Sequence, residues 1–193
     1  MRHFIKHFKS QMMALSNAPH NGGVFEANGF FFMQVHKNYK GDYKRDCIEF
    51  EIANGLKNFV GFMTAADIEK VLSIAKSGNV KAYTTAGITN PAIAGNEPPR
   101  FSSRTINIVL VIEEGLTLGA MTNAVMTATE AKTYTLLNLG YNATGTTSDG
   151  IGIFGFKGDL EWAGTGTELG INIGKAVRKA LGESLKKWER LSK

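Results

Sequence analysis

The sequence has a single cysteine, Cys47, so an intramolecular disulfide and a zinc site built on several thiolates are both excluded. The surrounding "RDCIEFEI" reads as a helix with apolar neighbours, which gives Cys47 a packing role rather than a nucleophilic one. Histidine is scarce and lopsided. His3, His7, His20 and His36 all lie in the first fifth of the chain, and no pair makes the His-Glu-x-x-His pattern of a zinc helix. No resident metal is expected. His20, in the turn "APHNGG", is the one histidine placed where a ligand can reach it, and it reads as a mobile surface residue. Long apolar runs are missing too. "GFFFMQV", Gly29 to Val35, is far short of the roughly 20 residues of a membrane-spanning helix. "MRHFIKHFKSQMMALSNA" has the charge but not the continuous apolar stretch of about 7–15 residues that a signal peptide needs. The expectation is a cytoplasmic protein without membrane insertion.

Charge of one sign is not concentrated either. The net charge is +5 over 193 residues. The basic residues gather in "MRHFIKHFK" and "KKWERLSK", which read as solvated ends. Nucleic acid is not expected as a partner, because no recognition motif accompanies the charge. With 43% hydrophobic residues and no repeat or linker, residues 1–193 form one domain by this reading. Assembly into a homo-oligomer stays open.

What is present alternates between strand-like and helix-like segments. "GFFFMQVHKNY", "NFVGFMTA", "NVKAYTTAG", "TINIVLVIEE" and "SDGIGIFGFKG" read as strands, the last with glycines that suggest a close neighbour over its backbone. "DCIEFEIANGL" predicts a short helix. "ADIEKVLSIAKSG" predicts another, from the spacing of Ile68, Val71, Leu72 and Ala75. "TLGAMTNAVMTATEAKTYTLLNLG" predicts a helix with Leu118, Met121, Val125 and Ala128 on one face. In "TELGINIGKAVRKALGESLKKWERL" the inward residues are Leu169, Ile173, Val177, Ala180 and Leu181. "NPAIAGNEPPRFSS", with three of the four prolines, reads as a loop. The sum is an α+β or α/β fold, a mixed sheet with helices packed on it.

Chemistry-bearing residues concentrate in the second half. Asn123, Thr127, Glu130 and Tyr134 are spaced by four, three and four, which makes one polar stripe on a helix. Two Gly-Thr loops follow, "ATGTTSD" (Ala143 to Asp149) and "AGTGTELG" (Ala163 to Gly170). Loops of this kind turn backbone amides towards an anion or a developing oxyanion. The second loop opens a helix, where Thr165 or Thr167 can act as N-cap. Neither has the P-loop or dinucleotide-fold glycine pattern.

Six segments in order carry a resemblance: "VGFMTAAD", "TTAGITNP", "RTINIVLVIEEGLT", "TNAVMTATEAKTYTLLNLG", "ATGTTSDGI" and "WAGTGTELGINIGKAVRKAL". Together they resemble the adenosylcobinamide amidohydrolase family over about Leu15 to Leu181. The resemblance implies hydrolysis of the amide between a corrin side chain and aminopropanol. It also implies the products adenosylcobyric acid and 1-amino-2-propanol, a role in corrinoid salvage, and no cofactor, since the cobalt belongs to the substrate.

Amide hydrolysis needs an attacking water or hydroxyl, a base, an acid for the leaving amine and donors for the oxyanion. The expectation assigns general acid/base work to Glu130 and the ordering of its loop to Asp149, with Thr146 as the candidate hydroxyl. Met63, Thr64, Asn90, Asn123, Thr127, Thr144, Gly145, Thr147, Thr165, Gly166, Thr167 and Glu168 make up the expected substrate-binding set. Two other classes fit the same loops: a corrinoid- or nucleotide-binding module without turnover, and a self-processing hydrolase using Thr146 or Thr147.

Overall fold

The computed structural model describes residues 2–97 and 105–192. Its elements are β1 (His3–Ser16), β2 (Gly23–Gln34), α1 (Tyr43–Ala53), β3 (Phe59–Thr64), α2 (Ile68–Val71), β4 (Ser73–Ser77) and β5 (Val80–Ala86). They continue with β6 (Pro91–Ala92), β7 (Ile106–Leu116), α3 (Leu118–Asn138), β8 (Gly145–Thr146), β9 (Gly150–Lys157) and α4 (Glu168–Ser192). Seven strands form one mixed sheet in the order β3-β2-β1-β9-β7-β5-β4, while β6 and β8 pair separately. This is an α+β domain. Among the described residues no helix is long and apolar enough to cross a membrane.

Two segments depart from the sequence-based expectation. The basic opening is not a solvated end but β1, antiparallel to both β2 and β9. Alternation explains it: Phe4 and Phe8 turn to one face and pack against one core cluster, while Ile5 turns to the other face and packs against a second. His3 and His7 lie on that strand and meet Phe50 and Phe59 edge-on. The second departure is "ADIEKVLSIAKSG", which makes one helical turn and then enters β4, paired with β5 through a tight turn at Gly78. Its β-branched and alternating tail is stabilised by the neighbouring strand, which local periodicity does not register. The loop expected at "NPAIAGNEPPRFSS" contains β6 in its described part, and positions 98–104 lie outside the described residues.

The sheet is bent. β1 carries a register shift between His7 and Met12, and β7 another between Val111 and Gly115. Bulges of this kind increase local twist. The coiled sheet closes over an aromatic core in which Phe30 lies 5.2 Å from Tyr83 and 5.6 Å from Phe154, ring to ring. Edge strand β3 curls back far enough that Asn107 of β7 donates to the Met63 carbonyl at 3.0 Å. On the opposite face α3 and α4 pack over β5, β7 and β9. All five residues expected inward on α4 are buried there. α1 covers β2 and β3 with Cys47 and Phe50.

Helix ends are set by local chemistry. Asp42 caps α1 by accepting from the amides of Lys44 and Arg45, and Thr117 caps α3 through the Ala120 amide. α3 ends at Asn138 with Leu139 as its C-cap, and Gly140 follows in the left-handed region that a side chain resists. The buried face of α3 is rotated from the expected one. Met121, Ala124 and Ala128 face the core, whereas Leu118 is 48% exposed. Small residues let α3 approach the sheet closely, and this decides the face against the bulkier leucine.

Candidate active site

Asp149 sits between the two-residue strand β8 and the start of β9, and its carboxylate collects an unusual number of donors. Oδ1 accepts from the Thr146 hydroxyl at 2.5 Å and from the Ile106 amide at 3.2 Å. The Thr146 amide is shared between Oδ1 and Oδ2. Oδ2 also accepts from Lys132 Nζ at 2.5 Å. The pair is buried, with the two side chains only 9% and 11% exposed. At such a depth charge-assisted bonds are strong, and neither charge tolerates losing the other.

The backbone makes room for this pair. A Cβ at position 145 would collide with both Asp149 Oδ2 and Lys132 Nζ, so only glycine fits. Gly150 is required in the same way, because a Cβ there would come within 2.5 Å of Asn107 Oδ1 and meet the Phe62 ring. Thr144 fastens the loop from the other side, accepting from the Ala94 amide and donating to the Ala92 carbonyl. Asn17, at the end of β1, donates to the Asp149 carbonyl at 2.8 Å and accepts from the Ile151 amide at 2.7 Å.

Two clefts meet at this point. The larger, about 930 Å³, runs between three walls: Ser16 to Gly23 at the end of β1, the segment from Val35 into the first turn of α1 at Lys44, and Thr147 to Gly150 with Thr105, Asn107 and Met63. The smaller, about 560 Å³, is lined by Leu15, Thr122, Val125, Thr129, Lys132 and Ile151. Ser16, Asn17 and Asp149 line both and form the ridge between them. In the large cleft the Thr147 hydroxyl oxygen accepts from Asn90 Nδ2 at 2.5 Å, so its own hydrogen is free to donate. Tyr39 and Tyr43 stand on the opposite wall. Tyr39 donates to Asp46 at 2.6 Å, and burial, followed by that carboxylate, pushes its phenol well above the usual range.

The sequence matches the adenosylcobinamide amidohydrolase family over residues 2–193. The chain belongs to that family. It is similar to an adenosylcobinamide amidohydrolase of Methanosarcina mazei, at 31% identity over 83% of this chain and 84% of the relative. It is also similar to one of Halobacterium salinarum, at 28% identity over 86% and 77%. An uncharacterized protein of Methanocaldococcus jannaschii is 30% identical over 83% and 74%. No solved structure matches.

In this amidohydrolase the residues expected from sequence separate into groups. Asp149, Thr146 and Gly145 are brought together. Thr147 and Met63 line the large cleft, with Asn90 holding Thr147. Thr64 is fully buried, and its hydroxyl accepts from the Ala66 amide. Glu130 is exposed on the outer side of α3 and lines neither cleft. The polar stripe that carries it is not one environment. Thr127 is buried and donates to the Ala163 carbonyl, Asn123 is half-buried, and Tyr134 is half-exposed under the Arg178 guanidinium. The second Gly-Thr loop also stands apart. Thr165, Gly166 and Glu168 are exposed, and Thr167 caps α4 by accepting from the Gly170 amide at 2.9 Å.

His20 is buried rather than mobile. Its Nε2 lies 2.9 Å from Glu51, and its backbone pairs with Gly61. The residue that sequence reasoning missed is Lys132. Its signal was available: it is the sole cation of α3, and it falls among small residues on the helix face that turns inward.

Proposed function

We propose that this protein hydrolyses the side-chain amide of adenosylcobinamide, giving adenosylcobyric acid and 1-amino-2-propanol, and so returns salvaged corrinoid to coenzyme synthesis. The observation that carries this reading is the buried Lys132–Asp149 pair on the ridge between two clefts, within a chain of this family. Water adds to the amide carbon and its proton passes to Asp149. The C–N bond then breaks, and the departing nitrogen takes a proton from Lys132 Nζ. Transfer from Asp149 back to Lys132 across their 2.5 Å contact restores the ion pair. Thr146 and the Ile106 amide fix the carboxylate's orientation. Thr147 lines the large cleft, where its free hydroxyl hydrogen meets the oxyanion. A large cleft of about 930 Å³ lies in the range that accommodates a sizeable cofactor-like ligand. Glu130 has no part in this scheme.

The test is product analysis by mass spectrometry after incubation with adenosylcobinamide, with Lys132→Met alongside the natural protein. Release of aminopropanol by the natural protein is expected, with kcat roughly 10²–10⁴ lower in the variant. An intact corrinoid across a broad pH range would instead leave a binding module.

A further inference from the structure

The scheme above leaves open which side of the scissile bond lies in which cleft, and the geometry points to an answer. We infer that the smaller cleft is the seat of the aminopropanol arm, so that the corrin lies in the larger cleft and the amide crosses the ridge at Asn17 and Asp149. This rests on the amide-hydrolysis reading and assigns its leaving-group site.

Three observations converge. First, the clefts are unequal and share a ridge on which Asp149 lies, so a bond positioned there has one substituent on each side. Second, Lys132 lines only the smaller cleft. A proton donor to the leaving nitrogen must stand on the leaving side, within hydrogen-bond reach of that nitrogen. Third, the lining fits the arm. 1-Amino-2-propanol carries one methyl and one hydroxyl, and its volume is roughly 100 Å³, about that of three waters. Leu15, Val125 and Ile151 offer apolar contact for the methyl. Thr122 and Thr129 donate their own hydroxyl hydrogens to the Leu118 and Val125 carbonyls, so their oxygens are left to accept from the arm's hydroxyl. A corrin does not fit in about 560 Å³ beside that arm, whereas the larger cleft has tyrosines on the wall facing the loop.

Thr129→Phe tests the assignment, because Thr129 is exposed and a ring there fills the cleft without entering the core. The measurements are kcat/KM for adenosylcobinamide and the inhibition constant of adenosylcobyric acid, which lacks the arm. The expected result is a fall of tenfold or more in kcat/KM with the inhibition constant unchanged within about twofold. Tyr43→Ala, in the large cleft, should weaken both corrinoids together. Parallel changes for the two corrinoids in Thr129→Phe, or no change in either, overturn the assignment. If the natural protein shows no turnover, the hydrolysis reading fails by itself. Equilibrium dialysis of the two corrinoids against Thr129→Phe then reads the cleft directly, and equal affinities overturn the assignment.

Discussion

Lys132 and Asp149, seventeen positions apart, meet at 2.5 Å with both side chains buried, and a carboxylate and an ammonium thereby share one small space beneath a glycine. Removing one partner leaves the other charge without compensation. Asp149→Asn should therefore cost about 3–5 kcal/mol of stability, which lowers Tm by roughly 10 °C in a chain of this size. The double change Asp149→Asn with Lys132→Met should recover part of that loss, since no orphan charge remains. Thermal denaturation of Asp149→Asn, Lys132→Met and the double variant measures the coupling. Additive losses would show that the pair is not an energetic unit.

Glu130→Gln should leave kcat/KM within about twofold and stability within about 0.5 kcal/mol, as for an exposed residue with no special contact. A steady-state assay beside the natural protein decides this. A hundredfold loss would return the acid/base role to Glu130 and displace the Lys132–Asp149 scheme.

Gly145→Ala places a methyl group on the ion pair. Overpacking of this kind costs about 1–3 kcal/mol, and here the strain falls on the two groups that the proposed scheme uses for proton transfer. Activity should fall further than stability does. The check is a comparison of kcat at a temperature where circular dichroism shows the variant still folded.

Burial pushes the Cys47 thiol from an ordinary 9.0 up to about 12, with Asp46 and Glu51 adding to the shift. The folded chain thus holds this proton more tightly than the unfolded one. The resulting stabilisation is full below pH 9 and is lost as pH rises from about 9 to about 12. Cys47→Ala should flatten that part of the stability curve. At pH 8 the native thiol should resist iodoacetamide until denaturant is added. Rapid labelling of folded protein would contradict the buried placement.

Much of the fold was legible in the residues themselves. β-Branched runs marked β5 and β7, and the inward stripe of α4 could be counted from Leu169 to Leu181. The loop chemistry was legible too. A Thr-Gly-Thr turn closed by an acid is a local device, and Asp149 does bind the Thr146 amide three positions before it. β1 was not legible, because a segment in which Lys6 and Lys9 stand beside Phe4 and Phe8 resembles a solvated end until a sheet exists to receive it. Nor was the face of α3. Helical spacing states which residues share a side, and only packing against the sheet states that the small-residue side goes in, carrying Lys132 with it. The ridge between the clefts is further still from local reading. Asn17 follows β1 and Asp149 precedes β9, and they meet only because those two strands pair in the coiled sheet. Sequence by itself determined which segments could be strands, helices and turns, because backbone preference and alternation act over a few residues. Tertiary structure alone decided which carboxylate meets a cation in a cleft, because burial and charge pairing depend on groups far apart in the chain.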